Sequence, residues 1–257
     1  MKSIRGWRGC VPVLVGLICV GLFVPGGTQA QMGGPLAKFK DNVHQLHIVA
    51  RYLATLPNGS VGQSNIVQTV TAIAVRSQPG QTYWLIEKDH VDPQFYYRER
   101  RVSQGTAISF IFFVDNFDIV ALIQGGSGDP IEVFKVTDHY AVLRDTRGRA
   151  VPDAVIATDP QENESAVIAL PQGGGVARLP TFRETETQIV QAPADAALFY
   201  IKFAQKDDEL THGAPVFVQR DGEWRLVGIR VVHGRATQPD QSAVAKLPPL
   251  EELVTKQ

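Results

Sequence analysis

Cysteine is nearly missing from this chain. Cys10 and Cys19 are the two present, and both lie before residue 31. The rest of the sequence forms no disulfide and offers no thiolate to a metal. A body without such cross-links is held by its core alone, which 257 residues are enough to build. An excess of either charge is missing as well: 25 Lys and Arg oppose 26 Asp and Glu. No basic block stands out, so nucleic acid has no electrostatic claim on this protein. Internal repeats and low-complexity segments are also lacking, which excludes a solenoid.

Long hydrophobic runs are scarce. The one candidate, 11–24, falls short of the roughly 20 residues that a spanning helix needs. Lys2, Arg5 and Arg8 precede it, and Pro25-Gly26-Gly27-Thr28-Gln29-Ala30 follows. A charged start, a greasy middle and a small-residue end make the order of a secretory signal peptide. Cleavage is expected after Ala30, leaving a periplasmic or secreted protein with no membrane span. An uncleaved N-terminal anchor is the alternative. A lipoprotein site at Cys19 is disfavoured by the bulky Ile18 before it.

What is present begins with Phe39, Val43, Leu46, Val49, Tyr52, Leu53 and Leu56, whose spacing predicts an amphipathic helix. Pro57-Asn58-Gly59 would end it. His44 and His47 would be neighbours on its surface, solvated or, less simply, holding a metal. From Ile66 onward the texture changes. Short β-branched and aromatic runs, among them Thr82–Ile86, Ile131–Val136, Pro215–Gln219 and Trp224–Val232, alternate with turn clusters such as Arg220-Asp221-Gly222. Many short strands at this spacing predict an all-β sandwich or barrel. The tail after Pro248-Pro249 reads as a short terminal helix.

Residues 207–233 carry the most specific pattern. Gly213, Pro215, Val216 and Phe217 lead into Asp221-Gly222 and then Leu226-Val227-Gly228-Ile229. This resembles the nucleophile segment of trypsin-like serine proteases, a Gly-x-Ser-Gly-Gly-Pro turn followed by a hairpin and a Val-Gly-Ile strand. His212 stands where the serine would be, and Ala214 replaces the second glycine. Upstream, Phe117-Asp118-Ile119-Val120-Ala121-Leu122 resembles the strand that supplies the triad aspartate. Leu85-Ile86-Glu87-Lys88-Asp89-His90-Val91 resembles the end that supplies the triad histidine, with Glu87, Lys88 and Asp89 in place of its Thr-Ala-Ala run. The short gap from His90 to Asp118 is similar to that of the bacterial Deg-type branch.

The resemblance implies an all-β fold of two six-stranded barrels. With the readings above, the chain divides into a signal peptide (1–30), an N-terminal helical segment (31–60), the double barrel (61–247) and a tail (248–257). The resemblance places His90, Asp118 and His212 at the three triad positions. In the family a serine hydroxyl attacks, the histidine takes its proton and the aspartate fixes the tautomer, with backbone amides holding the oxyanion. An imidazole at the nucleophile position does not sustain that cycle, because an acyl-imidazole is too labile. The implied protein is therefore a degenerate pseudoprotease that binds or scaffolds a peptide or protein partner. The peptide would be added as a strand along Arg230, Val231, Val232 and His233. Two rivals stand beside this reading. One is a diverged serine hydrolase acting through Thr211 or a misassigned serine, although Ser127 in its glycine-rich loop comes too early in the chain. The other is an envelope component on an unrelated β-sandwich. No cofactor is implied by the family. His90 and His212 would nonetheless present two imidazoles to one point, so a divalent transition metal there is weighed against two packed rings in a decayed site.

Overall fold

The computed structural model describes residues 33–55, 60–78, 81–92, 100–104, 106–110, 112–121, 129–145, 151–172, 181–203, 211–231 and 239–255. The expected signal peptide and Ser127 lie outside them. From Gly33 onward the chain forms one compact unit. Among the described residues no helix is long and apolar enough to cross a membrane.

A short helix, α1 (Pro35–Phe39), precedes β1 (Val43–Thr55), β2 (Val61–Gln78) and β3 (Gln81–Glu87). A 3-10 turn over Lys88–Val91 follows. Then come β4 (Arg100–Gln104), β5 (Thr106–Phe110), β6 (Phe112–Ala121), β7 (Asp129–Pro130), β8 (Glu132–Val136) and β9 (Tyr140–Asp145). These build a seven-stranded sheet in the order β7-β6-β1-β2-β3-β9-β8, with β4 and β5 paired apart. Its two edge strands are separated along the chain by Ile131 alone. The second half contains β10 (Ser165–Gln172), β11 (Thr181–Gln191), β12 (Leu198–Lys202), β13 (Pro215–Arg220), β14 (Glu223–Arg230) and β15 (Gln241–Lys246). They close a barrel in the order β10-β11-β12-β15-β14-β13. One closed six-stranded barrel and a seven-stranded sheet thus stand where two closed barrels were expected. A last short helix, α2 (Leu250–Leu253), buries Leu253, as the tail predicted.

Strand periodicity explains the three cores. Side chains alternate faces along a strand, and β3 uses both. Trp84 and Ile86 enter the sheet's own core with Leu46, Ile48, Val70 and Leu143. Tyr83 and Leu85 face a shared core that also takes Phe217, Leu226 and Ile229 from the barrel. On β13 the same alternation sends Val216 and Val218 into the barrel core and Phe217 to the shared one. The two halves are therefore joined by apolar packing.

Most of the expected helix over 39–56 is strand β1, Val43–Thr55, and Leu56 lies outside the described residues. The helical spacing leaves out Ile48, which is fully buried, and Leu46 and Ile48 face one core at the strand period of two. Pairing decides the matter, since β1 lies against β2 over its whole length and against β6 from His47 to Ala54. The boundary at 60 consequently runs through the middle of a sheet. His44 and His47, three apart, point to opposite faces of the strand. The first meets the edge of Trp84 and the second lies 3.0 Å from Thr69 Oγ1, so they do not form a joint metal site.

The chain before β1 grips the other half. Phe39 stacks on Phe217 with centroids 4.8 Å apart. Leu36 N–H donates to Glu184 Oε1, and Trp224 Nε1 donates to Gly33 O. Asn42, buried, then donates from Nδ2 to both Ala74 O and Pro152 O. In the barrel, Arg220-Asp221-Gly222 is the predicted turn of the β13–β14 hairpin. Asp221 at φ 53° and Gly222 at φ 77° give it the left-handed pair that matches strand twist. Gly228 lets β14 lie close on β15, where a Cβ would stand 2.5 Å from Ala245 O.

Candidate functional site

Three buried polar side chains meet where the sheet touches the barrel. Glu87 ends β3, and His90 follows it on the 3-10 turn. Glu87, with extended backbone, caps the start of that turn, which folds His90 back beside its carboxylate. His90 Nε2 lies 3.8 Å from Glu87 Oε2. His212 comes from the barrel side, on the tight turn before β13, with Nδ1 3.1 Å from the same oxygen. That approach is off the line a hydrogen bond requires. The two rings are tilted, with centroids 6.0 Å apart. Glu87 is 1% exposed, His90 0% and His212 5%.

Local chemistry fixes the turn. Gly213 has φ 78°, and a Cβ there would lie inside van der Waals contact of Thr71 O on β2. Gly213 N–H donates to Arg230 O, and Arg230 N–H donates to Ala214 O, tying the turn to β14. Thr211 Oγ1 accepts a 2.6 Å hydrogen bond from Arg230 Nη1 and is buried. Burial pushes the His90 imidazole down to about 4, opposed by the Glu87 charge and assisted by His212. His90 is therefore neutral near pH 7.

His90 and His212, which the resemblance assigns to two triad positions, lie side by side here. Asp118 lies on β6 opposite Val49, three places from β3 in the sheet order, and its side chain is outside the described residues. Along the expected peptide edge, the main-chain N–H and C=O of Arg230 both bond within the barrel, and Val231 N–H donates to Ala243 O. Arg230 is thus not an open edge residue. Val232 and His233 lie outside the described residues. Sequence reasoning treated Glu87 as a lost small residue, yet it is the group both imidazoles approach. Its signal was a run of ionisable residues at the end of an apolar strand, where a carboxylate is buried only with partners.

No family model matches the chain, and no curated protein sequence does either. Solved structures do. An HtrA-type protease, AlgW with a decapeptide, is similar at a TM-score of 0.51 and 11% identity, covering 82% of this chain and 61% of that one. The active form of the Rv3671c protease from M. tuberculosis gives 0.47 and 14%, covering 88% and 85%. The tobacco etch virus protease complexed with product gives 0.47 and 12%, covering 82% and 76%. With its closed barrel, its second sheet and few helices, the chain has the fold of the trypsin-like, chymotrypsin-fold proteases.

Proposed function

We propose that the protein is an exported pseudoprotease, which holds an extended peptide or protein partner in the periplasm without cleaving it. The observation that supports this reading is His212, an imidazole 3.1 Å from a buried carboxylate, at the position that the family resemblance assigns to the attacking hydroxyl. Thr211 does not replace it. Its oxygen accepts from the Arg230 guanidinium, which withdraws the electron density a nucleophile needs. The neutral His90 lies against Glu87 and the His212 ring. An HtrA-type protease similar in fold was solved with a decapeptide, and strand addition along the run after β14 is the mode we propose for this chain. Export rests on the order of residues 1–30.

The test uses protein lacking residues 1–30. A fluorophosphonate probe is expected to leave no covalent adduct, and a displayed peptide library is expected to yield extended sequences that bind. Stable labelling at a hydroxyl would overturn the inactive reading in favour of a diverged hydrolase. A library that enriches nothing would remove the peptide-binding part.

A further inference from the structure

The same three side chains have the makings of a metal centre. Their ligating atoms all lie within 4.8 Å of one another. Two donors of a tetrahedral ion with bonds of about 2.0–2.1 Å stand about 3.4 Å apart. The distances to Glu87 Oε2, 3.1 Å and 3.8 Å, bracket that value. Among the described residues neither ring nitrogen of His212 makes a directed hydrogen bond, although the ring is nearly buried. A cation set between the imidazoles and the carboxylate would convert a misaligned contact into two bonds.

From this geometry we infer that Glu87, His90 and His212 bind one divalent transition metal of the zinc class, cross-linking the end of β3 to the turn before β13. The donor set selects the class. Two imidazole nitrogens and one carboxylate oxygen suit zinc, nickel or copper, whereas calcium needs six to eight oxygens and magnesium prefers water and phosphate. Three protein ligands leave a fourth position for water or for a group of the partner. In a body without cysteine, the ion would serve as the cross-link that disulfides supply elsewhere. The inference needs these three side chains alone and not the peptide groove, so the two proposals can fail separately.

The experiment uses untagged protein lacking residues 1–30, stripped with chelator and titrated with zinc chloride in a calorimeter. Cobalt loading is followed by visible absorbance in parallel. One zinc per chain is expected, with cobalt bands of tetrahedral nitrogen and oxygen ligation. Glu87→Gln and His212→Ala are each expected to weaken zinc by at least about tenfold, a loss of the size seen when metal-site groups are removed. Wild type that binds no zinc overturns the site, as does unchanged affinity in both variants. Should a variant lose its fold, the melting temperature of wild type decides. Saturating zinc must raise it, since a ligand bound only by the native state stabilises that state. No rise overturns the inference.

Discussion

Nδ1 of His212 lies 3.1 Å from Oε2 of Glu87, so a ring carried by the barrel and a carboxylate carried by the sheet converge on one buried point. His90 completes the group from the turn that follows β3.

Acid should destabilise the protein through His90. Its folded value lies near 4, against an unfolded value of 6.5. Between these the unfolded chain takes up a proton that the folded chain refuses. Stability is therefore fully present above pH 6.5 and is lost progressively as pH falls toward 4, by about 3 kcal/mol for this group. Urea midpoints measured across this range, for wild type and His90→Leu, check it. The variant should show a shallower fall.

Gly213→Ala should be severe. The left-handed φ of 78° strains any side chain, and the added Cβ meets the Thr71 carbonyl. The two effects together are worth about 3 kcal/mol or more. Denaturant unfolding measures the loss, and an effect below about 1 kcal/mol would contradict the described turn.

Asn42→Ala strips the side-chain donor from Ala74 O, a buried contact, and from Pro152 O, a partly buried one. Leaving buried acceptors unmet costs about 1–3 kcal/mol each. The expected result is a lower urea midpoint with an unchanged slope. Asn42→Asp should fare no better, because a carboxylate has no N–H to give.

Phe39→Ala removes a ring 2% exposed that stacks on Phe217. Truncation of a buried phenylalanine costs about 3–5 kcal/mol. Trp224→Phe loses the hydrogen bond to Gly33 O and part of a half-buried ring, and should cost about 1–2 kcal/mol. A thermal melt that ranks the two the other way would contradict the stacked contact.

Much of the barrel was legible in the sequence because its signals are local. Arg220-Asp221-Gly222 supplies a tight turn by its own φ preferences, and Val216, Phe217 and Val218 alternate between two cores that both want apolar groups. β1 was misread because its apolar spacing fits two periods, and its partners β2 and β6 are remote in sequence. β15 carries only Ala243, Val244 and Ala245 between polar ends, too short a run to stand out, yet it is an integral stave of the barrel. At the site, motif order placed His90 and His212. Glu87 escaped because its role exists only once a turn 125 residues downstream is folded against it, as its contact with His212 shows.

The grip of residues 33–39 on Phe217, Glu184 and Trp224 has a temporal consequence. A ribosome makes the grasped segment first and most of its dock, on β13 and β14, near the end. Phe39 must therefore stay uncovered until β13 has been made and folded. It is then a latch that closes late in folding.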